Sequence, residues 1–124
     1  MSDNAQVVRE AYECFGRGDI PSLLELLSDD VDWESPGILP VGGNYRGHEG
    51  VGEFLTNVAD RWPELEVAPG DLVADGDYVV SLGHARGQLA GGDTAEYDFS
   101  HVFTVRDGKV TRFREYVMAD DKIG

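Results

Sequence analysis

The chain has 124 residues, of which 41% are hydrophobic and 27% charged, a composition typical of a folded globular protein. This length suffices for one domain with its own core and is short for two, so we expect a single domain over residues 1–124. The 24 acidic and 10 basic residues give a formal net charge of −14. Because such a surface repels phosphate backbones and anionic lipid headgroups, the composition argues against nucleic-acid and membrane partners.

The compartment is predicted from one cysteine and from the N-terminal sequence. Cys14 is the only cysteine and lies on the apolar stripe of a predicted helix, where we expect a small buried hydrophobe in a reducing compartment. The first residues, MSDNAQVVRE, lack the basic and apolar regions of a secretory signal, and no apolar run is long enough to span a membrane. We therefore predict a cytoplasmic protein.

The N-terminal part predicts two helices. Apolar residues recur at helical spacing over Val7–Phe15, after an Asp3 start, and Gly16 ends the pattern. A second, shorter helix is predicted over Asp19–Ser28, with Pro21 in its first turn, where a missing N–H has little effect. Both predicted helices have an aspartate at the position of a helix cap.

The next part predicts a strand, a loop and a third helix. Apolar and polar residues alternate over Val31–Ser35, which indicates a short half-buried strand. Pro36–Gly43 is rich in glycine and proline and is predicted to be a loop. An amphipathic helix follows over Val51–Trp62, and Pro63 closes it.

The remaining chain predicts strands over Leu65–Val73 and Tyr78–Leu89 and a long hairpin over Ala95–Met118, turned at Asp107–Gly108. Helices followed by a run of antiparallel strands are typical of an α+β fold. We predict a cone-like α+β barrel in which three N-terminal helices pack on a curved antiparallel sheet. The hollow of such a cone is the expected site for a small molecule.

The turn of the long hairpin decides which side chains share its inner face, because a shift of one residue reverses a strand. A two-residue turn at Asp107–Gly108 would place two guanidinium groups, those of Arg112 and Arg114, on the apolar face. A three-residue loop with Gly108 in the left-handed conformation avoids this, and we predict it. The inner face then carries Phe99, His101, Phe103, Val105, Thr111, Phe113, Glu115 and Val117.

In this register His101 and Glu115 are diagonal neighbours on adjacent strands, about 7–8 Å apart at the backbone and within side-chain reach. An imidazole and a carboxylate among aromatic rings can exchange a proton, which suits general acid–base catalysis. The alternative is an ordinary buried hydrogen-bonded pair, since structural ion pairs are common.

Three stretches spread from Tyr12 to Val117 carry scaffold motifs: YECFGRGDIPSLLELLSDDVDWESPG, YRGHEGVGEFL and HVFTVRDGKVTRFREYV. They resemble the SnoaL-like branch of the nuclear transport factor two-like and ketosteroid isomerase-like superfamily. This resemblance implies the cone fold. It leaves the activity open, because the superfamily contains isomerases, cyclases, dehydratases, epoxide hydrolases and non-catalytic binding domains.

The resemblance argues against steroid isomerisation. The general-base aspartate of the isomerases would fall on Ser35, and their protonated oxyanion aspartate would fall on His101. Their oxyanion tyrosine would fall near Ala11. Tyr12 is one position away, which on a helix is a rotation of about 100° from the pocket.

The polyketide cyclases of the family give a better match. Their catalytic histidine and acid on the last two strands are similar in position to His101 and Glu115, although the acid here is glutamate rather than aspartate. An aldol-type cyclisation needs a base for a proton α to a carbonyl and a donor for the developing oxyanion. The resemblance implies Glu115 as base and His101 as donor, with a small apolar carbonyl compound as substrate and no cofactor.

Two further hypotheses stay open, a non-catalytic ligand-binding domain and a dimerisation module, since the resemblance also implies a homodimer through the exposed sheet face. His48 and His84 have no second histidine or cysteine at metal-ligand spacing, so we expect no metal site. The predicted wall of the substrate pocket consists of one serine and the large aromatic residues of the helices and strands: Phe15, Trp33, Ser35, Tyr45, Phe54, Trp62, Phe99, Phe103 and Phe113.

Overall fold

A computed structural model describes residues 3–119 and 123. The helices are α1 (Asn4–Gly16), α2 (Ile20–Glu25) and α3 (Gly47–Arg61). The strands are β1 (Leu27–Ser35), β2 (Gly43–Arg46), β3 (Glu64–Asp75), β4 (Tyr78–Gln88), β5 (Thr94–Arg106) and β6 (Lys109–Met118). The strands form one sheet in the order β2-β1-β6-β5-β4-β3, and the three helices pack on it. The predicted α+β cone is confirmed, with a sheet that is curved but not closed.

The first two helices begin where their caps predict. The carboxylates of Asp3 and Asp19 each accept a hydrogen bond, 3.2 Å long, from the backbone N–H three residues further on. Such a cap contributes about 1 kcal/mol to helix stability. The predicted end of α2 near Ser28 is wrong, because the helix ends at Glu25 and the chain enters β1 with the buried Leu27.

The sheet has one strand more than the sequence predicts. β2 lies within and just after the predicted loop and pairs antiparallel with β1. Its side chains are mostly exposed at the sheet edge, so its sequence carries no apolar alternation that would reveal it. β1 also runs parallel to β6, so among the described strands the predicted antiparallel sheet is antiparallel in every pairing but this one. Since no turn joins β1 to β6, no hairpin forces the two strands to be antiparallel.

The long hairpin has a tighter turn than predicted. Arg106 pairs with Lys109, so the loop contains two residues rather than three. Asp107 and Gly108 have φ angles of 52° and 77°. A two-residue turn of this kind needs positive φ at both central positions, which glycine and aspartate tolerate best. The prediction of a left-handed Gly108 is confirmed, and the prediction of a three-residue loop is wrong.

A β-bulge then restores the facing that the sequence predicts. The pairing of β5 with β6 shifts by one residue after Val110, and Thr111 has no partner directly opposite. Beyond this bulge His101 lies directly opposite Glu115, rather than diagonal to it. Val110, not Thr111, is the fully buried side chain near the turn. The strand pattern alone does not distinguish a longer loop from a tight turn followed by a bulge, because both insert one residue.

The inner face of β5 joins two apolar clusters. Tyr97 and Phe99 belong to a smaller cluster around Trp62. Phe103 and Val105 belong to the larger cluster that β1, β6 and the helices complete. His101 lies between these two pairs on the same strand face and is 6% exposed. The buried histidine therefore stands at the junction of the two parts of the core.

Gly83 offers a test of the close packing beneath this junction. It lies opposite Phe99, and a Cβ at Gly83 would lie 2.4 Å from Phe99 Cζ and 2.6 Å from the Ala68 carbonyl oxygen. We expect Gly83→Ala to lower the free energy of unfolding by about 1–3 kcal/mol, since a buried ring or the backbone must move. In Gly91→Ala the new Cβ would meet nothing within 4 Å, and we expect a change below about 0.5 kcal/mol. Urea denaturation measures both, and equal stabilities would contradict the close contact.

Candidate functional site

An apolar cavity of about 750 Å³, including its open mouth, lies between the helices and the concave face of the sheet. The residues predicted from the sequence that line this cavity are Phe15, Trp33, Ser35, Phe54, Trp62, His101, Phe103, Phe113 and Glu115. The helices and the sheet therefore bring most of the predicted wall together around one space.

Two predicted wall residues support lining residues instead of lining the cavity themselves. Phe99 stacks on His101 with ring centroids 3.8 Å apart. Tyr45 packs on Phe54 with ring centroids 5.1 Å apart. Both aromatic rings hold a neighbour in place.

Tyr12 is a wall residue that the sequence reasoning missed. The family resemblance predicted that Tyr12 points about 100° away from the pocket, but in the structure both Ala11 and Tyr12 line the cavity. The prediction was wrong because the cavity borders more than one position of the helix and the phenol is long enough to reach it. The helical stripe offered the signal, since Val8, Tyr12 and Phe15 follow the i, i+4, i+7 spacing of one face.

Four polar side chains form a continuous row along one wall, which we call the polar row: Tyr12, His101, Glu115 and Ser35. The Tyr12 hydroxyl lies 2.6 Å from His101 Nδ1. His101 Nε2 lies 2.9 Å from Glu115 Oε2, and the Ser35 hydroxyl donates to Glu115 Oε1 at 2.9 Å. The four residues come from α1, β5, β6 and β1. The row thus exists only when all four elements are packed together.

The central pair is well shielded from solvent. The side chains of His101 and Glu115 are 7% and 10% exposed. Phe99 stacks on the imidazole, and Phe113 meets it edge-on with centroids 4.9 Å apart, so the plane of the ring is fixed. A hydrogen bond in such surroundings is stronger than the same bond in water.

The hydrogen bonds define where the protons lie. With Glu115 as a carboxylate, which only accepts, the contact at Oε2 requires a proton on His101 Nε2, which donates it. Burial raises the pKa of Tyr12 above its ordinary 10.0; the Ser81 hydroxyl lowers it, and the negative charge of Glu115 raises it further. Tyr12 is therefore a neutral phenol at neutral pH. When Nδ1 of His101 has no proton, the phenol donates to it.

The wall contains no lysine or arginine among the described lining residues. Among the described residues, the ion-pair partner of its acidic group, Glu115, is His101 when that imidazole is protonated. An anionic ligand would meet the carboxylate without a balancing charge. The charges of the wall therefore favour an uncharged ligand.

The other two histidines lie elsewhere. His48 Nε2 is 2.9 Å from the Leu27 carbonyl oxygen. His84 is on the outer sheet face, where Asp98 and Glu96 lie 2.8 and 3.4 Å from its ring nitrogens. Hydrogen bonding to Asp98 raises the pKa of this exposed imidazole. Within residues 3–119 and 123, no group of three or more histidine, cysteine or acidic side chains is placed to hold a metal ion.

Comparison with known proteins agrees with this architecture. The sequence profile of the SnoaL-like domain matches residues 8–113, so the chain belongs to the SnoaL-like domain family. Its structural relatives have NTF2-like and ketosteroid isomerase-like folds. Among the described residues, no helix has the length and apolar character needed to cross a bilayer.

Three relatives illustrate the match. An NTF2-like protein of unknown function from Burkholderia pseudomallei K96243 is 34% identical, with a TM-score of 0.88 over 95% of this chain and 92% of that protein. TerC, solved in co-crystals with polyporic acid, is 33% identical, with a TM-score of 0.84 over 94% and 92%. The uncharacterised protein Rv0034 of Mycobacterium tuberculosis H37Rv is 28% identical over 120 residues, which are 94% of this chain and 91% of that protein.

The buried phenols predict how stability depends on pH. Burial and the charge of Glu115 raise the pKa of Tyr97 as well as that of Tyr12. The native phenols keep their protons where the unfolded ones lose them, so the free energy of unfolding should fall as the pH rises from about 10. We expect Tyr12→Phe and Tyr97→Phe each to make this fall shallower. Urea denaturation at several alkaline pH values measures it, and wild-type slopes in both variants would contradict the assignment.

Proposed function

We propose that this protein is a cofactor-free acid–base catalyst, of cyclase or isomerase type, for a small and largely apolar carbonyl compound held in the cavity. The observation that carries the proposal is the 2.9 Å contact between His101 and Glu115 on the wall of an otherwise apolar space. Membership of the SnoaL-like family supports a small-molecule enzyme or binding domain. The polyporic acid bound to TerC, at 33% identity, supports an organic ligand.

The proposed chemistry begins with removal of a proton α to the carbonyl. Glu115 takes this proton, so that a C–H bond breaks, an O–H bond forms and the electron pair moves to the carbonyl oxygen. His101, hydrogen-bonded to Glu115, carries the proton that offsets the developing negative charge. General acid–base catalysis of this kind contributes about 10²–10⁴-fold to a rate.

Exchange of α-protons tests this function without knowledge of the natural substrate. 2-Tetralone is an uncharged, apolar ketone with acidic α-protons, and their loss in D₂O can be followed by proton NMR. We expect the wild type to accelerate this exchange, and Glu115→Gln or His101→Ala to reduce the acceleration by about 10²–10⁴-fold.

His84→Ala is the matched control, because it removes an imidazole that also contacts a carboxylate but lies on the outer face. This variant should exchange 2-tetralone at the wild-type rate. Circular dichroism verifies that each variant is folded. A wild type that binds 2-tetralone without accelerating exchange would contradict catalysis and favour a non-catalytic ligand-binding domain.

We also propose a homodimer that forms through the outer face of the sheet. Leu82 and Tyr116 lie in one row across β4, β5 and β6, with Ser100 between them. They are 52% and 53% exposed, and exposed apolar side chains that lie close together are a feature of interaction surfaces.

Leu82→Lys should convert the dimer to a monomer, because it replaces an apolar side chain of the proposed interface with a charge that meets its own copy across the interface. Gln6→Lys adds the same charge on an exposed position of α1 and should leave the dimer intact. Light scattering at micromolar concentration measures both masses. A monomeric wild type would contradict the proposed dimer.

The proposed setting is a reducing, cytoplasmic compartment without nucleic-acid or membrane partners. Cys14 is a free cysteine, 5% exposed on the buried face of α1. The net charge of −14 would repel polyanions. Composition and burial support this setting, which stays a prediction.

A further inference from the structure

We infer that Tyr12 is a further catalytic residue, whose hydroxyl donates a hydrogen bond to the carbonyl oxygen of the ligand when both nitrogens of His101 carry a proton. The inference rests on the proposed acid–base function and adds the donor that this function requires. His101 then controls whether the Tyr12 hydroxyl can donate to the ligand. The donor itself then lies on α1, apart from the two residues of the hairpin.

His101 has no ring nitrogen left to hydrogen-bond a ligand. Its Nε2 is 2.9 Å from Glu115, and its Nδ1 is 2.6 Å from the Tyr12 hydroxyl. An imidazole has two ring nitrogens, so both are used within the protein. A ligand oxygen in the cavity must find its donor elsewhere.

The Tyr12 hydroxyl has one proton to donate. If His101 carries a proton only on Nε2, the phenol donates to the bare Nδ1 and has nothing to offer a ligand. If His101 also carries a proton on Nδ1, this N–H donates to the phenol oxygen, and the phenol proton turns away from His101, toward the cavity or the neighbouring Ser81 hydroxyl. The protonation of His101 therefore switches the direction of the Tyr12 hydroxyl.

Two ionisable side chains contact His101. Tyr12 approaches from α1 and Glu115 from β6. From β4 the cross-strand partner is Ser81, whose buried hydroxyl is uncharged. The remaining close contacts on β5 and β6 are the rings of Phe99, Phe103 and Phe113.

The proposed reaction uses the Tyr12 hydroxyl as follows. Glu115 takes the α-proton, and the carbonyl oxygen becomes the oxygen of an enolate that accepts from Tyr12. The doubly protonated imidazole behind Tyr12 balances the new negative charge. Glu115 then returns its proton to the carbon from which it came or to another atom of the conjugated system, and the protein ends in its starting state. Ser35 is not the donor in this scheme, because its hydroxyl donates to Glu115.

Tyr12→Phe tests the inference in the same 2-tetralone exchange assay. Removal of one oxyanion donor lowers a rate by about 10²–10³-fold, and we expect a loss of this size. Tyr78→Phe is the matched control, since it also removes one phenol hydroxyl, at an exposed position of β4 outside the cavity. This control should keep the wild-type rate.

A pH profile and a nitrogen spectrum separate the switch from a merely structural role. The exchange rate of the wild type should depend on pH in a way that Tyr12→Phe lacks, because only the wild type has a hydroxyl whose direction depends on its contact with His101. Long-range proton–nitrogen NMR of the histidine rings should show a shifted Nδ1 signal of His101 in Tyr12→Phe. Tyr78→Phe should leave that signal in place, and the exposed His84 provides an internal reference.

The outcomes distinguish this inference from the proposed function. A wild type without exchange overturns both. An active wild type, inactive Glu115→Gln and fully active Tyr12→Phe overturn only the role of Tyr12. An Nδ1 signal of His101 that is the same in the wild type and in Tyr12→Phe overturns the switch.

Discussion

The contact between His101 and Glu115 is the constraint around which the rest of the interior is organised. A carboxylate removed from water is strongly unfavourable unless its oxygens are paired and hydrogen-bonded. Here one oxygen accepts from His101 and the other from Ser35, while Tyr12 engages the far nitrogen of the imidazole. Every element that supplies a member of the polar row must therefore be in place before the pair is satisfied, and this couples the site to the packing of the whole cone.

The bulge at Thr111 makes this arrangement possible. Without it, the tight turn would place arginines on the concave face and remove Glu115 from it. With it, Arg112 and Arg114 face outward toward acidic residues of β1, with charged atoms 3.8 and 3.3 Å from their partners. Because Thr111 is unpaired, the two arginines lie on the outer face of the sheet and Glu115 lies on the concave face. Bulges frequently aim a side chain in this way beside a functional site.

The cavity and the polar row define the chemistry more narrowly than the fold does. The family scaffold supports many activities, so the cone by itself selects none of them. An apolar wall whose described residues include no lysine or arginine favours a neutral ligand, and a single row of donors and acceptors presents polar groups from one side. Such a site orients a ligand by one polar group and holds the remainder by shape. This combination constrains the size and charge of the ligand more than its identity.

The sequence by itself determined the class of the fold, the capped starts of α1 and α2, the third helix, and a hairpin face shared by His101 and Glu115. These features follow from local rules, since apolar spacing defines helices and strands and side-chain chemistry defines caps and turns. Only the tertiary structure decided the edge strand β2, the parallel pairing of β1 with β6, and the bulge beyond the turn. It alone brought Tyr12 and Ser35 to the ends of the polar row. The position of each of these groups depends on how separate elements are rotated and packed. No local pattern in the chain encodes a contact between residues that are 80 or 89 positions apart.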